Sequence, residues 1–338
     1  MMTTKNIQAC LSALGDPQFT YKTIHIGGTN GKGSTTYFLS QLLDQHYDVG
    51  MYVSPYFMRR FDNIYINGQP VDNIKQIYKQ YQDIFKTYHL TPFEEDTALA
   101  FLVFHQYKVD VAVIEVGLGG IHDATNVIDS DVVIITSNSL EHDDILGPNI
   151  TDIARHQAGI IHSHKQHVIL SEHIIDPAKS VFINRMKEVQ ATMLHSVDLD
   201  LEMTPMYQLH NIKLAVTAYH HLVPGGKLLS HYDFLPCRFE KVGHVIYDGA
   251  HNVEGMHVLV QSIKALNIRP TIMMSTLKTK QTQHMIDVLK SVSNTIYVLT
   301  FDHQDAIDET MIKALKGVEF KHFDEVYPLL NQPKHDMI

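Results

Sequence analysis

The 338-residue chain is too long for one compact core and about right for two domains. Its net charge of −10 argues against a broad nucleic-acid-binding surface, although one locally positive pocket could still hold an anion. No stretch reaches the roughly 18 uninterrupted apolar residues of a membrane span, and the N-terminal residues lack a signal-peptide core. Two cysteines exclude a disulfide framework. We therefore expect a cytoplasmic monomer without nucleic-acid or membrane partners.

Histidine is abundant, with 23 residues, and the densest group is His162, His164 and His167. None of these has zinc-ligand spacing with cysteines or lies in an HExxH frame. Scattered surface histidines explain the number more simply, so we predict no metal site in this group.

The first predicted strand covers residues 22–26, a β-branched run that stops at two glycines. Helical spacing of apolar residues follows over 34–45, so the order is strand, glycine loop, helix. The same patterns predict strands at 49–53, 64–68, 109–116, 131–137 and 167–171, and helices at 74–88, 97–107 and 209–222. Beyond Pro224 they predict strands at 245–247, 270–274 and 295–301, and helices at 253–265 and 281–292.

The glycine loop has the composition of a phosphate-binding loop. Glycines let successive amides approach phosphate oxygens, while Lys32 supplies a positive charge and Ser34 or Thr35 a hydroxyl for Mg²⁺. The frame departs from a strict Walker A motif, because Gly33 follows Lys32 and Gly27 lies five residues before it, not six. A plain glycine turn between strand and helix is the alternative interpretation.

Two predicted strands, 109–116 and 131–137, are apolar on both faces, which is typical of central strands in a parallel sheet covered by helices. The predicted fold class is α/β. A P-loop, parallel-sheet ATPase domain is expected over 1–224, a linker over 225–235, and a smaller Rossmann-like α/β domain, apparently shortened, over 236–338.

Downstream motifs make the interpretation of the glycine loop more specific. In chain order the motifs are Gly27-Gly28-Thr29-Asn30-Gly31-Lys32-Gly33-Ser34, Glu115-Val116-Gly117-Leu118-Gly119-Gly120 leading to Asp123-Ala124-Thr125-Asn126, His142 with Leu146-Gly147, and Asp248-Gly249-Ala250-His251-Asn252. Together they resemble the folylpolyglutamate/dihydrofolate synthase branch of the Mur-ligase superfamily. The resemblance implies transfer of the ATP γ-phosphoryl group to a substrate carboxylate, followed by attack of an amino-acid amine on the acyl phosphate to form an amide.

The resemblance also implies roles for single residues. The implied catalytic residues are Lys32, Glu115, His142, Arg238 and His251. The implied ligands of Mg²⁺ are Ser34, Ser54 and Glu115, with His142 linked to a second metal. The implied nucleotide contacts are Gly28, Thr29, Asn30, Gly31, Lys32, Gly33, Ser34, Thr35, Asn211, Arg238 and Asp248. Arg238 would reach the phosphates across a cleft between the domains.

Each of these residues has a plainer interpretation. Glu115 could be a strand-end carboxylate that caps the next loop, and His142 an ordinary histidine in a polar loop. Asn211 could be a polar residue on a helix surface.

The sequence departs from the family pattern at Gln157. The family has a lysine here that is carbamylated to give the second metal a carboxylate, whereas a glutamine offers only a neutral carbonyl oxygen. We therefore hypothesise weakened binding of the second metal.

Other departures lie on the acceptor side. Tyr56 replaces a histidine, Asp62-Asn63 stand where Glu-Arg is usual, Ile121 replaces a basic residue, and Glu141 replaces an aspartate. The first expectation is an ATP- and Mg²⁺-dependent ligase that joins a folate or pterin acid to L-glutamate. A ligase of the same superfamily with another acid and amine, and a nucleotide-binding paralogue with little catalysis, are the alternatives.

Overall fold

The structure, a computed structural model, describes residues 3–141, 143–199, 201 and 205–328. Its strands are β1 (Lys22–Gly27), β2 (Val49–Tyr52), β3 (Ile64–Ile66), β4 (Gln69–Pro70), β5 (Val111–Glu115), β6 (Val132–Ile135), β7 (His167–Leu170), β8 (Thr192–Leu194), β9 (Arg238–Val242), β10 (Val245–Asp248), β11 (Thr271–Met274), β12 (Thr295–Val298) and β13 (Glu319–Phe320).

Its helices are α1 (Lys5–Ala13), α2 (Lys32–Leu43), α3 (Ile74–Thr87), α4 (Pro92–Tyr107), α5 (Asp143–Leu146), α6 (Ile150–Ala158), α7 (Ala178–Val189), α8 (Met206–Leu222), α9 (Val253–Ala265), α10 (Thr282–Leu289), α11 (Glu309–Ala314) and α12 (Phe323–Val326), with a 3₁₀ helix at Pro17–Phe19. Within the ranges described, none combines the length and apolarity that a membrane crossing needs.

The described chain forms two compact units. One contains the described residues of Met1–Leu201 and Gln208–Asp233, and the other those of Glu202–Tyr207 and Phe234–Ile338. Residues of the predicted linker pack on α2 within the first unit, where Asp233 exchanges two 2.9 Å hydrogen bonds with the side chain of Gln41. Tyr232 packs edge-on against Phe38. The predicted domain boundaries stay a prediction.

The first unit is built on a sheet in which eight described strands lie in the order β4-β3-β2-β5-β1-β6-β7-β8. All neighbours from β2 to β8 pair in parallel, and β3 and β4 add an antiparallel edge. The register pairs Ile26 with Glu115 and Gly27 with Ile135. Because β1, β5 and β6 end at the same level, the loops that follow them leave from one edge of the sheet, where ligands bind in open α/β folds.

The central strands are buried on both faces, as their continuous apolar sequence predicts. Every residue of β5 and β6 is buried. One face packs against a core that includes Phe101 and Phe104 of α4, and another core joins β6 and β7 to α6 and α7 through residues such as Phe182. The core of this unit therefore holds the ends of β1, β5 and β6 in fixed positions.

The second unit combines a hairpin and a small parallel sheet. Strands β9 and β10 pair antiparallel, and β11, β12 and β13 pair in parallel. Its core contains Ile263 of α9, Met285 and Ile286 of α10, and Val298 of β12. The predicted α/β fold class, with a larger parallel-sheet unit followed by a smaller α/β unit, is confirmed.

One helix starts earlier than its apolar spacing predicts. The expected start near Thr97 is wrong, because α4 begins at Pro92. Thr91 caps the helix, and the carboxylate of Glu94 accepts a 2.8 Å hydrogen bond from the backbone amide of Thr91. This Thr-Pro-Phe-Glu sequence is a capping box with proline in the first turn, a stronger start signal than the periodicity that follows it.

Candidate active site

The glycine loop joins the end of β1 to the start of α2. Gly31 precedes the helix with φ +87°, and Gly28 has φ +133°, conformations that L-residues with side chains rarely adopt. Because α2 begins at Lys32, the first amides of the helix have no partner within the helix itself. The predicted order of strand, loop and helix is present, and it is the arrangement in which a helix N-terminus binds an anion.

Lys32 folds over this loop. Its Nζ atom donates 3.0 Å hydrogen bonds to the carbonyls of Gly28 and Thr29. The positive charge therefore lies above the loop backbone, where a phosphate bound to the helix amides would meet it.

A polar segment that follows β6, here called the support segment (Thr136 to Ser139), fixes the loop from the side. The backbone amide of Thr29 donates to the carbonyl of Ser137 at 3.1 Å, and that of Asn30 donates to the Ser137 hydroxyl at 2.8 Å. The Thr136 hydroxyl donates to the Asn30 carbonyl at 2.7 Å. Sequence reasoning missed this segment, although its run of small polar residues directly after a central strand was an available signal.

The hydroxyl groups that the sequence predicts as metal ligands lie at the start of α2. Ser34 and Thr35 are both buried. Among the described residues, the buried hydroxyl of Thr35 has no hydrogen-bond partner. An unsatisfied buried hydroxyl is costly, so a ligand at this position would restore its lost bond.

Glu115 places a carboxylate at the end of β5, the strand that pairs with β1. It is the last residue of β5, is 5% exposed, and accepts a 2.9 Å hydrogen bond on Oε2 from the backbone amide of Ser54. The structure thus brings together Glu115 and Ser54, which the sequence places 61 residues apart. A buried carboxylate is a hard oxygen donor of the kind that suits Mg²⁺.

A buried chain of hydrogen bonds shapes the loop after β5. Asp123 accepts bonds from the amide of Leu118 at 2.7 Å and from the hydroxyl of Thr125 at 2.5 Å. The same hydroxyl lies 2.8 Å from Nε2 of His25 in β1. Burial raises the pKa of Asp123, opposed by these hydrogen bonds, and burial together with His162 lowers the pKa of His25 to about 3. A neutral His25 therefore ties this loop to the strand that carries the glycine loop.

Gln157, on α6, lies against the glycine loop. It is buried, its carbonyl accepts a 2.8 Å hydrogen bond from Asn138, and its amide lies 3.2 Å from the hydroxyl of Thr29. Both polar ends of the side chain are therefore engaged in the protein.

Asn211 also lies beside the loop. A side chain on Gly31 would overlap the Oδ1 atom of Asn211, and the Nδ2 atom of Asn211 donates to Gln208 at 2.9 Å. Within the described residues, the amide nitrogen of buried Gln208 has no partner. The structure therefore places Asn211 at the loop, which weakens the alternative of an ordinary helix-surface residue.

The second unit holds Arg238 and Asp248 on one hairpin. They are register partners in β9 and β10, and Arg238 lies between Cys237 and Phe239, which both have positive φ, +56° and +61°. Such a conformation is strained for residues with side chains and is found most often at functional sites.

Asp248 is tightly bound within this unit. Its Oδ2 atom accepts bonds from the hydroxyl of Tyr207 at 2.9 Å and the amide of Phe239 at 3.0 Å, and its Oδ1 atom accepts one from the amide of Ala250 at 2.9 Å. Burial raises its pKa, and these hydrogen bonds oppose the rise. A carboxylate accepts about four hydrogen bonds, so about one position remains for a ligand hydroxyl.

His251 follows Asp248 in the turn before α9. Its Nδ1 atom lies 2.8 Å from the carbonyl of Gly249, and Asn252 caps the helix by accepting from Gly255 at 2.7 Å. His142, the remaining predicted catalytic residue, lies outside the described residues.

The residues that depart from the family pattern on the acceptor side have different surroundings. Tyr56 and Ile121 are exposed, and both lie in loops at the carboxyl edge of the sheet. Asp62 accepts 2.8 Å bonds from the amides of residues 57–59 and so shapes the turn after Ser54. Glu141 is partly buried.

Comparison with known proteins identifies the family. The Mur ligase middle domain matches residues 26–227. The chain is 31% identical to a folylpolyglutamate synthase of Lacticaseibacillus casei, over 87% of this chain and 80% of that protein. It is 29% identical to a dihydrofolate synthase/folylpolyglutamate synthase of Bacillus subtilis, over 86% and 79% of the two chains.

The fold gives the same answer. A Mycobacterium tuberculosis folylpolyglutamate synthase complexed with ADP superposes with a TM-score of 0.88 and 25% identity, covering 97% of this chain and 87% of that one. With the glycine loop, Glu115 and the Asp248 motif in their expected elements, the chain belongs to the folylpolyglutamate synthase/dihydrofolate synthase family of Mur ligases.

Proposed function

We propose that the protein is an ATP- and Mg²⁺-dependent ligase that joins a folate-type carboxylate to L-glutamate. The observation that carries this proposal is the meeting of a phosphate-binding loop with a buried strand-end carboxylate, Glu115, at one edge of the sheet. Relatives named as folylpolyglutamate synthase and dihydrofolate synthase match most of the chain, which supports the same reaction class.

The reaction takes place in two steps. A carboxylate oxygen of the acid attacks the γ-phosphorus of ATP, and ADP leaves, which yields an acyl phosphate. The uncharged amine of glutamate then attacks the acyl carbon, inorganic phosphate leaves, and the nitrogen loses a proton to give the amide. Activation is required because a carboxylate oxygen is a poor leaving group and phosphate a good one; the enzyme's contribution is positioning and charge neutralisation.

The first unit supplies the phosphate-binding residues. Amides of the first turn of α2, from Lys32 to Ser34, would hold the phosphates, because those of Thr29, Asn30 and Thr35 already donate to Ser137 and Gly31. Lys32 would move from its loop carbonyls to the negative charge of the phosphates. Ser34, Ser54 and Glu115 would hold Mg²⁺, which when bound neutralises charge on the phosphates. Asn211, next to Gly31, would bind the adenine edge.

The second unit contributes three proposed nucleotide residues. Arg238 and His251 would bind the phosphates, and Asp248 would accept a ribose hydroxyl at its one remaining position. His142 is proposed, on the resemblance alone, to be linked to a second metal.

A second candidate is a ligase of this family with another acid and amine. Exposed Tyr56 and Ile121 favour it, since they replace polar residues of the family pattern on the acceptor side. The engaged side chain of Gln157 favours the third candidate, a nucleotide-binding paralogue with little catalysis.

We also propose that the protein acts as a cytoplasmic monomer. Cys10 and Cys237 are both free thiols, which fits a reducing compartment. Light scattering coupled to size-exclusion chromatography would test the oligomeric state. A mass of twice 38.5 kDa would contradict the proposal of a monomer.

Phosphate release measured with ATP, Mg²⁺, L-glutamate and either dihydropteroate or tetrahydrofolate tests the main proposal. We expect release together with a glutamylated product by mass spectrometry, and a loss of about 10²- to 10³-fold in Lys32→Ala. Lys22→Ala, which changes the exposed lysine at the start of β1, is the matched control and should retain full activity. Phosphate release only with other acids would support a ligase with another acid and amine. ADP binding without turnover would support a nucleotide-binding paralogue. Either result overturns the folate assignment.

A further inference from the structure

A group of three potential metal ligands lies outside the proposed active-site residues. Glu172 and His173 follow β7, and His210 lies on α8. One ligand atom from each of the three residues lies within 4.8 Å of the other two. We propose that Glu172, His173 and His210 form a binding site for a divalent cation of the Zn²⁺ class.

The two imidazoles are already arranged as neighbours. Their ring centroids are 4.0 Å apart and their planes meet at 81°. Within the described part of the chain, the buried Nδ1 atom of His210 has no hydrogen-bond partner. A buried polar atom without a partner costs free energy, which a ligand at that atom would recover.

The donor set selects the metal. Two imidazole nitrogens and one carboxylate oxygen suit Zn²⁺ and related first-row cations, with water in the fourth position of a tetrahedral site. Mg²⁺ prefers oxygen ligands, so the magnesium of the proposed ligase reaction would not compete effectively here. The site shares no residue with the proposed Mg²⁺ ligands, and the two proposals can fail independently.

One positive charge opposes metal binding. Lys213, one helical turn after His210, has its Nζ atom 3.7 Å from Oε1 of Glu172. This distance is too long for a strong hydrogen bond, so the carboxylate is only loosely engaged by the lysine.

Sequence spacing could not reveal this group. His173 and His210 lie 37 positions apart in the chain, so no short sequence motif contains both. The dense histidine run at 162–167 attracts attention first, but it does not supply these ligands.

Calorimetric titration of the chelator-treated, full-length protein with Zn²⁺ in the presence of excess Mg²⁺ tests the site. We expect one Zn²⁺ per chain at the tightest site, and at least about tenfold weaker binding in His173→Ala and Glu172→Gln. Lys213→Ala should bind Zn²⁺ more tightly than the wild type, because it removes the competing charge.

A matched control comes from another histidine pair. His167 and His221 lie with ring centroids 4.2 Å apart but are not part of the three-ligand group. His167→Ala should therefore leave the tightest site intact. The visible spectrum of the Co²⁺-substituted protein should show bands of tetrahedral coordination that His173→Ala abolishes. Equal Zn²⁺ affinity in the wild type and His173→Ala, with both proteins folded by circular dichroism, would overturn the proposal.

Discussion

The side-chain amide of Gln157 lies within hydrogen-bond distance, 3.2 Å, of the hydroxyl of Thr29 in the glycine loop. At its other end the carbonyl accepts a 2.8 Å hydrogen bond from Asn138 of the support segment. The glutamine thus connects α6 to two segments beside the proposed phosphate site. The family resemblance implies a lysine at this position, whose amine can become a carboxylate, whereas the side chain of Gln157 is neutral.

Gln157→Glu should lower the Mg²⁺ concentration needed for half-maximal ATP turnover. Glutamate has the shape of glutamine, Asn138 can still donate to it, and the Thr29 hydroxyl can rotate to do the same. The added carboxylate is a better ligand for a hard cation than an amide oxygen. Phosphate release measured against Mg²⁺ at saturating ATP is the assay.

Gln157→Met, similar in length but without charge or hydrogen bonds, is the matched control and should not shift the Mg²⁺ curve to lower concentration. Superimposable curves for the wild type and Gln157→Glu would show that charge at this position does not govern metal binding.

Gly31→Ala should weaken ADP binding by about tenfold or more, because the new methyl group overlaps the amide oxygen of Asn211 and the residue has φ +87°. Gly225→Ala separates the two effects. Gly225 also has a positive φ, +76°, but a side chain there meets nothing within 4 Å. This control should lose about 1 kcal/mol of stability and keep its affinity for ADP. Fluorescence titration with a labelled ADP gives the ADP affinity of both variants. An equal loss of affinity in Gly31→Ala and Gly225→Ala would show that backbone strain, and not the overlap with Asn211, weakens ADP binding.

The sequence predicted the parts of the site that depend on local chemistry. Glycines, Lys32 and the hydroxyls stand together in the chain, and the apolar runs of β5 and β6 mark central strands whose carboxyl ends must meet. It did not predict α6 or the part of α6 that contacts the loop, although Ile150, Ile153, Ala154 and Ala158 have the spacing of one helix face.

The support segment escaped prediction for a different reason. Thr136 and Ser137 lie 106 and 107 positions from Asn30, and their side chains bind loop backbone atoms. Small hydroxyl residues are common in every loop, so their sequence does not reveal which backbone they bind. Only the pairing of β1 with β6 brings these residues to the loop.

Glu115→Gln should raise the Mg²⁺ requirement of turnover by about tenfold or more, because it replaces a charged ligand by a neutral one. The glutamine carbonyl can still accept the bond from the Ser54 amide, so the fold around β5 should persist. Glu188→Gln, an exposed glutamate at the end of α7, is the control and should behave as the wild type. The assay is phosphate release over a Mg²⁺ series. An unchanged requirement in Glu115→Gln would favour the interpretation of Glu115 as a structural cap.

Thr91→Ala should lower the free energy of unfolding by about 1 kcal/mol, because it removes the cap of α4. The helix carries Phe101 and Phe104 into the core, so its first turn is coupled to the sheet. Thr87→Ala is the comparison, since among the described residues the exposed Thr87 hydroxyl bonds only to a carbonyl of its own helix, that of Asp83. Urea unfolding followed by circular dichroism gives both values. Equal midpoints for the two variants would show that the capping box contributes little.

The buried His25 makes stability depend on pH. Its folded-state pKa is lowered from 6.5 to about 3, by burial first and by His162 second. Between these two values the unfolded chain binds a proton that the folded protein does not, so the free energy of unfolding falls as pH drops below about 6.5. From pH 7 to pH 5 this single group should remove about 2 kcal/mol.

His25→Gln isolates that contribution among the 23 histidines. The glutamine amide can donate to Thr125 as the imidazole does, but it does not titrate. Urea unfolding at pH 7 and pH 5 should therefore show a wild-type loss about 2 kcal/mol larger than that of the variant. His164→Gln, at an exposed position, should reproduce the wild-type pH dependence. If His25→Gln loses as much stability as the wild type, the imidazole is not held neutral against Thr125, and the loop after β5 is tied to β1 in some other way.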